Sequence, residues 1–502
     1  MEDNELQSTP SEQPAAESRQ SEDAFLQLIE KEFKPKSAKA KEEVQKAVAT
    51  LASQALLETA VISDDALATI NAMVAELDLK LTAQINEILH NDRFQALEGS
   101  WRGLHHLVMN TETDEMLKIR FMSISKEELA KTLAKFDGVA WDQSPLFRRM
   151  YTEEYGQLGG HPFGCFVGDY YFDHSPKDVK LLQGMARVAA AAHAPFLAAA
   201  GPTLVNMDSW QEMPKVRDIK KIFSTPEYAA WKALRESEDS RYIALTLPRF
   251  LARLPYGSKT DPVEDFDFEE DASGTNADNY TWSNSAYAMA VNINRAFKDS
   301  GWCVRIRGVK TGGIVEGLPL HTFPSDDGGV DMKCPTEIAI DDRREKELSD
   351  CGFLPLIHKK NTTEAAFLGA QTLQLPKKFD DDDATANANL GARLPYIFAI
   401  SRFAHYLKCI VRDNIGSSQT QAQLQKDLQD WIMQYVAGDP DNATEETKAR
   451  KPLASAEVKV MPDEANPGYY NCSIHVRPHY QLEGMTIDLS LVSKLPSQRE
   501  GA

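Results

Sequence analysis

The residues able to do chemistry are few and scattered. His161, Asp169 and His193 could together supply the acid–base groups of an α/β enzyme site built from dispersed positions. No motif gathers them. The sequence has no GxxxxGKS/T phosphate loop, no HExxH, no GxSxG and no EF-hand loop. The strand expected at Gly164–Val167 runs into Gly168-Asp169-Tyr170, without the glycine-rich turn that lets a pyrophosphate approach the backbone. Lys310-Thr311-Gly312-Gly313 has phosphate-loop residue types but not the spacing, and reads better as a tight turn. His105 and His106 are adjacent, so on a helix they diverge by about 100° and cannot share a metal. Asp380–Asp383 could hold a hard cation, but a solvated acidic linker is the better reading. The run Asp341, Asp342, Arg343, Arg344, Glu345, Lys346, Glu347 fits either an exposed helix with i,i+4 pairs or a charged face between subunits. Six widely spaced cysteines form no CxxC pair and read as reduced, mostly buried thiols. These residues indicate no catalytic site, no cofactor and no metal.

The elements that would position any site are easier to read. Residues 1–20 are acidic and rich in Ser, Gln, Glu and Pro, the composition of a disordered tail. Ser21 caps a short helix whose stripe is Phe25, Leu28, Ile29 and Phe33, stopped by Pro35. Val44, Val48, Leu51 and Ala55 mark a second helix. A third, starting at Ser63 or Asp64, carries Leu67, Ile70, Val74, Leu77, Leu81, Ile85 and Ile88. The next helix has Phe94, Leu97, Trp101 and Leu104 at core spacing. Its Gly99 and Gly103, each costing up to about 1 kcal/mol against Ala, would admit a close neighbour. A strand at 164–167, a helix at 177–192 and a strand at 196–199 make a βαβ unit and hence a parallel sheet. Further strands are expected at Tyr242–Leu247 and Val304–Arg307, with surface excursions at 258–281 and 321–333.

Beyond Asp383 the pattern changes. Ile400, Phe403, Leu407 and Ile410 recur at helical spacing, while Arg402, His405, Lys408 and Arg412 charge the same helix. Such a helix suits a contact surface more than a pocket. Leu424, Leu428, Trp431, Ile432 and Tyr435 mark another helix, ending at Gly438. Three alternating strands follow: one with Ala456, Val458 and Val460, one with Tyr470, Cys472, Ile474 and Val476, and one with Met485, Ile487, Leu489 and Leu491. Each is apolar on one face, as in an antiparallel sheet covered on one side. The domain plan is a disordered tail at 1–20, a helical N-terminal arm at 21–92, an α/β middle region at 93–383 and a C-terminal α+β core at 384–502.

At 502 residues the chain needs more than one core. A charge of −20, from 55 basic against 75 acidic residues, disfavours nucleic acid and anionic membranes as partners. The first 20 residues have no signal-peptide pattern, and Val188–Ala200 is too short and interrupted to span a bilayer. The expectation is a cytoplasmic protein without membrane insertion.

The stretch at 379–416, FDDDDATANANLGARLPYIFAISRFAHYLKCIVRDNIG, resembles the opening of the C-terminal domain in the large subunit of the type VI secretion contractile sheath, the TssC/VipB family. So do RFQALEGSWRGLHHL at 93–107, LTLPRFLARLPYG at 245–257, GWCVRIRGVKTGGIVEGLP at 301–319 and CPTEIAIDDRREKELSDCGFLPLI at 334–357. They stand in the family's order and cover most of the chain from about residue 60.

The resemblance implies a phage tail sheath-like C-terminal domain and a structural role. Expected partners are a small sheath subunit (TssB/VipA type), neighbouring sheath heterodimers, an inner tube of Hcp-type hexameric rings, a baseplate and a ClpV-type AAA+ ATPase that dismantles contracted sheaths in the bacterial cytoplasm. It implies that Phe25, Leu28 and Ile29 form the ATPase handle. It also implies that the strands of Tyr470, Cys472, Ile474, Val476, Met485, Ile487 and Leu489 serve assembly. The alternatives are the dispersed-site cytoplasmic enzyme and a sheath protein of another contractile injection system.

Overall fold

In a computed structural model of the chain the described residues are Lys46, 66–264, 266–272, 274, 276–324, 328–463 and 470–481. They fall into two compact units, one comprising the chain up to Glu98 with Arg253–Thr281 and Leu320–Lys333, the other comprising the rest.

The smaller unit is built on α1 (Ala66–Leu89) and the first turns of α2 (Asp92–Met109). Among the expected apolar positions of α1, Val74, Leu81 and Ile88 are exposed. The unit buries Met73, Phe268 and Tyr280, and its buried Arg253 guanidinium donates to Glu98 Oε1 at 2.7 Å and to Glu270 Oε1 at 3.0 Å. Glu98 also accepts from Thr281 Oγ1, and His90 lies 3.6 Å from Glu270. Breaking such a buried set by removing one partner costs about 3–5 kcal/mol, because the other charge is left uncompensated.

The larger unit opens with the remainder of α2. A Cβ on Gly99 would stand 2.3 Å from the Trp282 carbonyl oxygen, and one on Gly103 would stand 2.4 Å from the Tyr287 ring. The paired glycines therefore do admit a close neighbour. Next come α3 (Lys126–Lys135), α4 (Pro176–Ala192), α5 (Ala229–Glu236) and α6 (Ser285–Ser300). The strands are β1 (Phe166–Phe172), β2 (Phe196–Ala200), β3 (Ile243–Leu247), β4 (Ile314–Val315), β5 (Phe353–His358) and β6 (Ala365–Phe367). They form one sheet in the order β1-β2-β3-β5-β6-β4. The first three pairings are parallel and the last two antiparallel.

Alternate residues of the central strands feed opposite cores. Phe196, Ala198, Ile243 and Leu245 join Val179, Leu182 and Met185 of α4. Leu197 and Ala244 join Met289, Ala290 and Ile293 of α6. Helices cover both faces, which is why β2 and β3 are buried throughout rather than alternating. Helix α4 starts with Ser175 accepting from the Asp178 N–H and Pro176 following, and stops at His193 with φ +51°.

The strand expected at Val304–Arg307 does not form. Val304 and Ile306 are buried, but the carbonyl of Arg307 accepts from Thr311 Oγ1 in the turn closed by Gly308 and Gly313, and that of Val304 accepts from Gln481. The Lys310–Gly313 stretch is thus a structural turn, in which a Cβ on Gly313 would meet the Phe367 carbonyl at 2.5 Å.

Candidate assembly interface

The charged run at 341–347 forms α7 (Asp342–Asp350), capped by Asp341. Arg343 and Arg344 both pair with Glu347, and Arg344 also donates to the Val216 carbonyl. The acidic run leads into α8 (Asp382–Gly391) with Asp381 as its cap, accepting from the Asp383 and Ala384 N–H groups. Among the described residues no group of three or more His, Cys, Asp or Glu is placed to hold a metal, and all six cysteines are free, Cys472 exposed. A cleft of about 290 Å³ is lined by Arg295, Asp299, Arg305, Glu446 and Arg450, with no cysteine or histidine.

His161, Asp169 and His193 each have their own partners. His161 is exposed, its N–H given to Glu154. Burial raises the Asp169 carboxyl pKa, against hydrogen bonds from Ser100, Asn284 and Tyr287. His193 Nδ1 lies 3.2 Å from Tyr242 Oη, and burial lowers the imidazole pKa.

The signature helix is α9 (Leu394–Asp413), started by Pro395. Phe403 and Leu407 are buried as expected, whereas Ile400 is 41% exposed. Its basic groups are not a free contact surface. The Arg402 guanidinium lies over the Tyr406 and Phe297 rings. His405 Nε2 donates to the Ala192 carbonyl at 2.8 Å. Lys408 Nζ donates to Tyr151 Oη at 2.9 Å and sits 3.8 Å from the Tyr155 ring centre. Arg412 donates to the Gln157 carbonyl at 2.9 Å. Cation–π contacts and charge-assisted bonds lock this face inside the chain.

Trp302 stacks on Phe403 at 4.3 Å and extends that core to α10 (Gln421–Met433) and to the antiparallel strands β7 (Leu453–Pro462) and β8 (Tyr470–Pro478). Val458 and Val460 are buried against Leu428 and Ile432, with Ala456, Ile474 and Val476 packed beside them. Cys472 and Tyr470 are exposed. The register sets Ala456 opposite Val476, Val458 opposite Ile474 and Val460 opposite Cys472. Met485, Ile487 and Leu489, like Phe25, Leu28 and Ile29, lie outside the described residues.

One set of residues escaped the sequence reading. Gln421, Gln425 and Gln429, one turn apart on α10, bond the backbone of β7 through their amides. Their i, i+4, i+8 spacing beside the apolar stripe was the available signal.

A two-faced α/β sheet is thus followed by an α+β end with a short hairpin covered on one face. The VipB model, described as the EvpB/VC_A0108 tail sheath N-terminal domain, matches residues 71–374, and the companion tail sheath gpW/gp25-like domain matches 383–495. The chain belongs to this tail sheath family and is a structural sheath subunit of the type VI secretion class. It is 65% identical over 476 residues to the type VI secretion system sheath protein TssC1 of Pseudomonas aeruginosa, covering 95% of this chain and 96% of the relative. Two solved structures are more distantly similar. The anti-feeding prophage baseplate matches with TM-score 0.38 and 12% identity, over 75% of this chain and 83% of the other. The contracted anti-feeding prophage helical sheath matches with TM-score 0.34 and 14% identity, over 62% and 66%. No helix among the described residues is long and apolar enough to cross a membrane.

Proposed function

We propose that this chain is the large sheath subunit, pairing with a small sheath subunit and stacking as heterodimers into a helical tube. The tube surrounds an inner tube of hexameric rings on a baseplate, and its contraction drives the inner tube outward. The work is mechanical and cytoplasmic, with no catalysis, cofactor, nucleic acid or membrane insertion. In this reading 384–502 is the assembly core, 93–383 the body and 21–92 the arm. The observation that carries it is the two-stranded β7–β8 sheet, apolar on one face and too small to stand alone. A neighbour's strand would complete its backbone hydrogen bonds and link subunits by a hinged joint. Two packings of linked subunits, differing in free energy, then provide extension and contraction.

Phe25, Leu28 and Ile29 serve in this reading as the handle for a hexameric AAA+ ATPase that recycles contracted tubes. A short amphipathic helix is marginal alone and gains stability in a groove. Co-expression with a small sheath subunit, viewed by negative-stain microscopy, should give tubules. A stable, monodisperse monomer that yields none would contradict the reading. In cells, Leu28→Asp with Ile29→Asp should spare assembly and first contraction yet leave contracted tubes to accumulate. Normal turnover of those tubes, or no assembly at all, would place the handle elsewhere.

A further inference from the structure

The cleft of about 290 Å³ lies within the larger unit and draws its walls from both family-matched parts of the chain. Arg295 and Asp299 of α6, Arg305, and Gly312 of the structural turn form one wall, within residues 71–374. Glu446 and Arg450 of α11 (Glu445–Arg450) form the other, within 383–495. Guanidinium groups from three separate segments thus line one small space. Arg295 Nη2 donates to Asn292 Oδ1 at 2.9 Å and to the Gly312 carbonyl at 3.1 Å. Arg305 Nη2 donates to the Lys310 carbonyl at 3.3 Å, and its buried Nε has no partner among the described residues. Neither arginine pairs with a carboxylate among the described residues, so neutral acceptors orient both charges without cancelling them. Arg450 pairs with Glu446 at 3.2 Å, but both side chains are largely exposed, and such a pair is readily exchanged for another anion.

We propose that this cleft binds a phosphoryl group carried by a small molecule. One bidentate arginine satisfies a carboxylate, whereas three guanidiniums around one space suit an ion with more oxygens and more charge. Small-molecule sites run upward from about 300 Å³, so the cleft fits pyrophosphate or a small phosphorylated metabolite. The exposed Asp299 carboxylate only accepts, so it takes a hydroxyl of the carrier and repels a bare anion. A buried donor on a charged group is costly while unpartnered, and an acceptor that reaches Arg305 Nε offsets that cost. The bound group ties α6 and the 305–312 turn to α11, and so stiffens the junction between the sheet-bearing part and the C-terminal part. None of this depends on how subunits join.

Isothermal titration of the co-expressed complex with sodium pyrophosphate, at an ionic strength held constant with sodium chloride, tests the assignment. One saturable site per chain is expected. Arg305→Gln and Arg450→Gln should each weaken it at least about tenfold, because each removes charge-assisted hydrogen bonds. Arg450 is exposed, so its substitution keeps the fold and leaves the test decisive if the Arg305 variant does not fold. Asp299→Asn should tighten pyrophosphate binding about threefold or more by removing a like charge, a gain that a purely structural role would not produce. Arg148→Gln, at an exposed arginine elsewhere, should change nothing. Hydrogen exchange of the α11 amides should slow when pyrophosphate is bound. ADP presents the same group on a nucleoside and separates the carriers. A site that takes both ligands reads the phosphoryl group alone, and one that takes only ADP reads the nucleoside as well. In either case the two arginine changes must weaken binding. No saturable binding of either ligand, or binding unchanged in both arginine variants, overturns the proposal. Tighter binding of a polyglutamate peptide than of pyrophosphate also overturns it, by assigning the cleft to an acidic protein segment.

Discussion

His405 shows how a single side chain ties the signature motif to the body of the fold. It is 2% exposed, and its Nε2–H reaches the carbonyl that ends α4, while Nδ1 has no partner among the described residues. Burial, chiefly, with Arg402, His193 and Lys408 adding positive charge nearby, holds its pKa down to about 4. Because the folded value lies below the unfolded one near 6.5, the unfolded chain takes up this proton first as pH falls. Stability is therefore full above about pH 6.5 and lost between there and about pH 4, on the order of 3 kcal/mol for this group. Urea unfolding of the co-expressed complex should show the loss between pH 7 and 5. His405→Gln, which keeps a donor for Ala192, should flatten the profile while lowering stability at pH 7. An unchanged pH slope in the variant would mean that His405 is not a source of the dependence.

At the scale of elements, Val458 and Val460 give their N–H groups to Gln429 and Gln425 of α10, so by register the backbone groups of Ile474 and Cys472 point away from β7. Ile474 N–H points to the open edge, so Ile474→Pro should block tube formation while costing the soluble complex no more than about 2 kcal/mol. Ser473, opposite Lys459, belongs to the β7–β8 ladder, so Ser473→Pro should cost about 3 kcal/mol or more and unravel the hairpin itself. Normal tubes from the Ile474 variant, or equal damage to the soluble complex from both, would contradict the orientation.

Much of this element level was legible. The alternation of Ala456–Val460 and Tyr470–Val476 marked both strands, and the apolar runs flanking Lys177–Ala192 marked β1-α4-β2, because burial on one or two faces writes itself into local pattern. Two misreadings have a common cause in distant partners. Arg402, His405, Lys408 and Arg412 read as a contact face because Phe297, Ala192, Tyr151 and Gln157 lie roughly a hundred to more than two hundred and fifty residues away in sequence. Val304–Arg307 read as a strand because buried apolar residues are common to strands and to chain held by turns and side chains. The glutamine ladder went unread since polar residues on a helix default to solvent.

For the whole molecule, the larger unit has its sheet covered on both faces and α9 bonded into it, and in the reading proposed above the hairpin is where a neighbour would join. The chain is 65% identical to a type VI sheath protein, and in the reading proposed above its joint forms at the β7–β8 hairpin. The most direct measurement is a near-atomic cryo-electron microscopy map of tubes formed with the small subunit. The account predicts an added strand running beside Cys472, Ile474 and Val476, with the α10 glutamines still bonded to β7. A map in which that edge of β8 is bare, or in which the new strand has displaced Gln425 and Gln429 from β7, would contradict it.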